Sequence, residues 1–216
     1  HNREWYRMQI TVEQINDPKI KEKYVIPEKE VKRYLGAVRK TEITDEAESM
    51  MRECIGDVFE VSGFRSCYVR VPIEINDTDV INFSFFKTQS HDLAKNLAGC
   101  SEAVIFAATV GSGVDRLIRR AELLSPVKLA FYQAAGAADV ENYCNDLNRR
   151  IDEMMAAEGY KGHWRFSPGY GDLSITNQRY IIDELQCTSK IGITLTQQYM
   201  MMPSKSVTAI IGYEKI

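Results

Sequence analysis

From Ser125-Pro126 to Glu158 the chain keeps one helical face apolar for over thirty residues, and that stretch constrains the fold more than any other. Ser125 is a favoured cap and Pro126 suits the first helical position. Leu129, Tyr132, Gly136, Val140, Tyr143, Leu147, Ile151 and Met154 recur at three- and four-residue spacing, and Gly159 supplies a stop. Glu141, Asn145, Arg149, Asp152 and Glu153 fall on the opposite face and read as solvated charge. At 1.5 Å per residue such a helix is roughly 45 Å long. It must be a scaffold on which a sheet and other helices pack.

The other segments are shorter. Residues 8–12 read as a short strand, and Asp17-Pro18 and Ile26-Pro27 as two helix entries, the second helix stopping at Gly36. Thr44 caps a helix whose buried stripe is Ala47, Met50, Met51, Cys54, Ile55 and Val58. Between Phe64 and Phe86 two strand-like runs flank the polar turn Asn76-Asp77-Thr78-Asp79, which predicts a hairpin, with Pro72 marking an edge or bulge. Ser90-His91-Asp92 opens a short helix ending near Gly99, with His91 as an N-terminal helix residue rather than a base. Residues 103–109 are continuously apolar, as in a strand covered on both faces.

That strand leads through Gly111-Ser112-Gly113 into a helix reaching Glu122. A strand, a glycine turn and a helix N-terminus can hold an anion. Here the third glycine of the dinucleotide fingerprint falls at Arg116 and no Gly-Lys-Ser/Thr is present, so the segment reads as a tight turn. Residues 177–185 form a short amphipathic helix in this reading, 191–196 a strand and 207–211 a closing strand, with Tyr199-Met200-Met201-Met202-Pro203 as an apolar wall. With no repeat or long linker, the expectation is one α+β domain over residues 1–216. Its antiparallel or mixed twisted sheet packs against the long helix and shorter helices, and residues 1–60 form a helical N-terminal extension.

The 216 residues are 44% hydrophobic and 26% charged with net charge −3, which offers neither a basic nucleic-acid footprint nor a polybasic membrane anchor. No run of about 18 apolar residues is present, so no membrane span is indicated. Cys54, Cys67, Cys100, Cys144 and Cys187 are odd in number and lack a Cys-x-x-Cys pair; they read as reduced thiols, and a cytoplasmic location follows as the expectation. His1, His91 and His163 are not spaced as metal ligands.

The segment after the long helix carries the candidate site. Trp164-Arg165-Phe166-Ser167-Pro168-Gly169-Tyr170-Gly171-Asp172 places a fixed cation, a hydroxyl, a Pro-Gly turn and an aromatic within nine residues. Arg165 offers a planar fork for a carboxylate or phosphate, Tyr170 a flat face with a polar tip, and Gly169 a backbone that a small molecule can approach.

Arg165-Phe166-Ser167-Pro168-Gly169-Tyr170 resembles the Arg-x-x-Pro-Gly-Tyr signature of the S-adenosylmethionine-binding activation domain of cobalamin-dependent methionine synthase. Thr109-Val110-Gly111-Ser112-Gly113-Val114-Asp115 is similar to that family's Thr-x-Gly-x-Gly-x-Asp turn. Ile191-Gly192-Ile193-Thr194-Leu195-Thr196, followed by Met201-Met202-Pro203 and Ser206-Val207, follows its C-terminal pattern. The resemblance covers about residues 83–209. It implies a domain that positions S-adenosylmethionine for reductive remethylation of an oxidised corrinoid. Arg165 would pair with the methionyl carboxylate, the backbone at Ser167 would meet the adenine, Gly169 would let the backbone come close to the ligand, Tyr170 would pack near it, and Glu141 would stand near the site from the scaffold helix. Cobalamin would come on a partner, a corrinoid-binding methyltransferase protein, with electrons from a flavodoxin-like or iron-sulfur donor.

Methyl transfer from a sulfonium to a strong nucleophile asks chiefly for positioning, in keeping with a chain that shows no His/Cys/Asp constellation. The sequence departs from the family in lacking a recognisable Asp-Trp-Thr-Pro segment ahead of Phe83, and it carries no homocysteine, folate or corrinoid module. A second reading is therefore a non-catalytic assembly partner or chaperone of a corrinoid protein. A third, an independent small-molecule methyltransferase, lacks a Gly-rich nucleotide turn and a base.

Overall fold

The apolar run at 103–109 takes the position its composition calls for, the centre of a sheet with both faces covered. The structure, a computed structural model, describes residues 9–36 and 44–216. In chain order the elements are β1 (Thr11–Gln14), α1 (Pro18–Lys21), α2 (Glu28–Tyr34), α3 (Asp45–Val61), β2 (Arg65–Pro72), β3 (Glu74–Ile75), β4 (Val80–Asn82), β5 (Lys87–Gln89), α4 (His91–Asn96) and β6 (Glu102–Thr109). There follow α5 (Ser112–Leu124), α6 (Pro126–Ala157), β7 (Tyr160–Gly162), α7 (Gln178–Glu184), α8 (Cys187–Ile191), β8 (Thr194–Leu195), β9 (Met201–Met202) and β10 (Ser206–Lys215). The main sheet runs β1-β2-β6-β10-β7 and every neighbouring pair in it is antiparallel. The α+β class is therefore as expected, with the sheet antiparallel rather than mixed.

Alternation along β6 divides the interior into two cores. Val104, Phe106 and Ala108 face the layer of α2, α3, α5 and α6, while Ala103, Ile105 and Ala107 face α7, α8 and the short ladders. Each fully buried valine, isoleucine or phenylalanine of this kind contributes about 1.5–3 kcal/mol, so one charge placed at Ile105 or Phe106 would break a layer. The scaffold helix α6 begins at the predicted cap, with Ser125 Oγ accepting from the Lys128 amide. Its buried face continues in steps of four through Tyr143, Leu147, Ile151 and Met155. Met155, not Met154, thus closes the stripe, and Met154 is exposed. Tyr143 packs edge-on against Tyr24 at 5.3 Å and donates to Ser66 Oγ at 2.9 Å, tying helix to sheet.

Four expectations change. The hairpin over 64–86 is not one unit: β2 pairs with β1 and β6, and the Asn76–Asp79 turn joins β3 to β4 in a separate three-stranded ladder. Pro72 lies on an interior strand, but at its end, where β1, paired only with 65–68, no longer reaches. This is how a residue without an N–H is tolerated there. Residues 191–196 are the end of α8, a left-handed Gly192 and only the two-residue β8. Residues 9–36 hold α1 and α2 but also β1, shifted from the expected 8–12, so the N-terminal stretch completes the sheet rather than forming a purely helical extension; Met8 itself lies outside the described residues.

The Gly-x-Gly turn is a packing device. A Cβ on Gly113 would run into the Val61 carbonyl, which lets α5 start directly against the end of α3. The Gly111 amide donates to Thr109 Oγ1 at 3.0 Å, and the Asp115 carboxylate accepts from the Ser204 amide at 2.9 Å and from its hydroxyl. Among the described residues no helix is long and apolar enough to cross a membrane.

Candidate functional site

Where α6 passes the segment after β7, the two leave a groove of about 1570 Å³, larger than the roughly 300–1,000 Å³ usual for a small-molecule pocket. One wall is the polar face of α6, from Glu141 and Asn145 to Asp152 and Glu153; the other is α4 with residues 161–166 and 170–171. The five α6 residues read as solvated decoration are therefore the lining of a cavity.

Arg165 stands between the walls. Its guanidinium donates through Nη1 to Asn145 Oδ1 at 2.8 Å and through Nη2 to Glu141 Oε1. Glu141 and Asn145 are four residues apart, hence on one helix face one turn apart, which is the spacing that lets two side chains grip a single fork. This holds a cation facing the groove without filling it. Behind Arg165, the buried Cys144 thiol is pushed up to about 12 by burial, against the pull of the Arg165 charge. It is therefore inert packing rather than a nucleophile.

The loop is shaped by its own backbone. Phe166 pairs with Ile210 of β10 as an isolated bridge, with N–H to carbonyl distances of 2.8 and 2.7 Å, so Arg165 leaves a strand-like anchor. Tyr170 donates its amide to the Ser167 carbonyl at 3.1 Å, closing the Pro-Gly turn. Gly169 has φ 89°, and a Cβ there would meet Ile175 Cδ1 at 2.8 Å. The positive φ is the reason that favours glycine, since Ile175 Cδ1 ends a side chain that can shift. Tyr170 stacks edge-on against Phe166 at 5.3 Å and is 70% exposed, while Trp164 is 88% exposed, so the groove mouth carries two aromatic faces.

Of the residues singled out in the sequence, Arg165, Glu141 and Tyr170 converge on the groove. Ser167 and Gly169 do not line it: the Ser167 carbonyl serves the turn and Gly169 faces Ile175, so their role is to shape the loop. Three residues that matter were not singled out. Asn145 is the second half of the grip on Arg165. Asp172 accepts from Ser90 Oγ and from the amides of His91 at 2.8 Å and Asp92 at 3.2 Å, fastening the loop to the start of α4. The Ser90 hydroxyl, opposed by desolvation but joined by those amides, holds the Asp172 carboxyl below its ordinary value. Asn96 donates to the Trp164 carbonyl at 3.1 Å and fixes the loop's other end. Glu141 plus four would have found Asn145; nothing local announces the contact between Asp172 and residues eighty positions earlier.

His91 lies outside this groove. Its ring nitrogen is 2.9 Å from the Asp79 carboxylate, which raises the imidazole pKa, and it occupies the start of α4 as expected. Among the described residues no cluster of three His, Cys, Asp or Glu side chains could hold a metal ion.

Comparison with known proteins agrees with the resemblance drawn from the motifs. Residues 137–215 match the family model described as vitamin B12 dependent methionine synthase, activation domain. That region contains both sides of the grip, Glu141 and Arg165, with the Pro-Gly turn and β10. Among solved structures, the fold is shared with the MetH reactivation domain bound to AdoHcy, at a TM-score of 0.68 and 15% identity, over 96% of this chain and 79% of that one. No curated protein matches the sequence.

Proposed function

We propose that the groove binds S-adenosylmethionine and that the chain acts as an activation subunit, presenting this methyl donor to a corrinoid carried by a partner methyltransferase protein. The observation that carries the reading is Arg165, held open towards the groove by Glu141 and Asn145 within the segment that matches the activation-domain family. The residues fit such a ligand. Arg165 suits its carboxylate; Glu141, Asp92 and Asp152 supply negative charge for an amino group and a sulfonium; Tyr170 and Trp164 offer flat faces for a purine. When bound, the ligand supplies a transferable methyl group on a cationic sulfur. The chain's own residues position it: α6 and the Arg165 loop fix opposite ends of the groove, and Asp172 keeps the loop wall in place. Cobalamin, and an electron donor of flavodoxin-like or iron-sulfur type, belong to partners in this reading.

Calorimetric titration with S-adenosylmethionine tests it. Replacing Arg165 with alanine removes a charged hydrogen-bonded contact of about 1.5–3 kcal/mol, so affinity should fall roughly ten- to hundredfold while the chain still folds and unfolds cooperatively. Equal affinity in Arg165→Ala, or no binding at millimolar ligand, refutes it. A second reading, an assembly partner that has lost the ligand, draws on the same pair: with its guanidinium satisfied by Glu141 and Asn145, Arg165 is stable in an empty groove. That reading takes over if the ligand does not bind and the corrinoid protein still does.

A further inference from the structure

Away from the groove, two buried cysteines meet. Cys67 of β2 and Cys187 at the start of α8 place their sulfurs 3.7 Å apart, both fully shielded from solvent. We propose that Cys67 and Cys187 are a dithiol that closes to a disulfide when α8 opens in the presence of a small-molecule disulfide. A disulfide needs sulfurs about 2.05 Å apart, a short approach from contact distance. The pair's surroundings explain why it is reduced and quiet at rest. The Cys67 sulfur's other contact is the Leu185 carbonyl, 3.9 Å away. The shared thiol hydrogen and burial together hold the Cys187 proton in place and raise its pKa. Reaction therefore waits on exposure.

The fold allows that exposure at small cost to the rest of the molecule. α8 has five residues between left-handed Gln186 and Gly192. Its hydrogen bonds stay local, from the Thr188 hydroxyl to the Ile193 carbonyl at 2.9 Å, the Ser189 hydroxyl to the Gln186 carbonyl at 3.1 Å and the Ile193 amide to the Cys187 carbonyl at 3.3 Å. Among the described residues, apolar packing of Cys187 and Ile191, with the thiol contact, is what holds it on the sheet. A local opening lifts Cys187 outward without breaking the β2–β6 ladder. The Cys187 thiolate then attacks one sulfur of the reagent, its S–S bond breaks, and one small thiolate leaves. While α8 is still open, Cys67 attacks the Cys187 sulfur and displaces the second small thiolate to solvent, after which α8 closes over the new bond. The two cysteines are oxidised, the reagent is reduced to two thiols, and these take up the two protons the cysteines lose.

The test uses the full chain with oxidised glutathione, quenching, thiol blocking and peptide mapping. The expected product is two hydrogens lighter, has two fewer blocked thiols, and yields a peptide linking Cys67 to Cys187. It forms faster in sub-denaturing urea, and is lost in Cys67→Ala and Cys187→Ala. Recovery of Cys67 and Cys187 from the treated native chain as separately blocked or separately glutathionylated residues overturns the proposal. So does equally fast linkage in fully denaturing urea, since the fold would then contribute nothing to it.

Discussion

Asp139 is a carboxylic acid placed where a carboxylate is costly. It lies on α6, fully shielded, and burial raises its pKa from 3.8 to about 7, against the opposing pull of the Ser62 hydroxyl and the Lys21 ammonium. Counting protons supports the same state. Ser62 Oγ has one hydrogen but lies 2.8 Å from the Val58 carbonyl and 2.5 Å from Asp139 Oδ2. If the hydroxyl serves Val58, the second contact is made by a proton on Asp139. Its other oxygen has no hydrogen-bond partner among the described residues, a further reason to be neutral. Because the folded pKa lies above the unfolded one, Asp139's contribution is fully present below about pH 4 and is lost as pH rises through about 7. At 1.36 kcal/mol per unit, the loss between pH 5 and pH 8 comes to about 2–3 kcal/mol. Asp139→Asn keeps the shape, donates an amide hydrogen to Ser62 and cannot ionise. Urea unfolding of both proteins, followed by circular dichroism at pH 5 and pH 8, should show the variant gaining on the parent by about 2–3 kcal/mol across that interval. A gap that stays constant, or narrows, refutes the buried neutral acid.

Further outcomes follow from particular contacts. Gly113→Ala drives a methyl into the Val61 carbonyl, a backbone atom that cannot swing aside, and should lower stability by about 1–3 kcal/mol in thermal unfolding; an unshifted midpoint would mean that α5 is free to slide. Asp115→Ala removes both bonds to Ser204 and should cost about 1–3 kcal/mol, measured by urea titration. The Asp172 carboxyl is held below its ordinary value, so its tie to α4 is present above the unfolded pKa of 3.8 and lost as pH falls through the folded one. Ligand affinity should therefore weaken in acid, and Asp172→Asn should weaken it at neutral pH while leaving α6 helical.

What the sequence disclosed follows the range of the interactions involved. Helices α3 and α6 and strand β6 were legible because their signal is local: a cap, a period, an unbroken apolar run. The pairing of β2 with β6 was not, since the polar turn at 76–79 supplied a nearer partner and nothing between Pro72 and Glu74 announces a change of sheet. Ile191 to Thr196 has β-forming residues, but Gly192 in the left-handed region and the buried side chain of Ile191 favour the end of α8. In the groove, Arg165 and Tyr170 declared themselves by motif. Asn145 was within reach of the helical period, four residues after Glu141, whereas Asp172 acts by meeting residues about eighty positions away, a distance over which no pattern in a single sequence carries.

The sheet order has a consequence for how this chain is made. The strand at the centre, β6, has two apolar faces and two edges; β2 covers one edge and β10 the other. Since β10 follows β6 by almost a hundred residues, a chain emerging from the ribosome presents residues 103–109 with one edge unpaired until residues 206–215 arrive. At roughly 5–20 residues per second, that interval lasts about 5–20 s, during which the stickiest strand of the molecule is open to any other strand. The same late strand carries Ile210, against which Phe166 and the Arg165 loop are built. Core and groove are therefore completed in a single closing event, and a nascent chain stalled short of it would have neither.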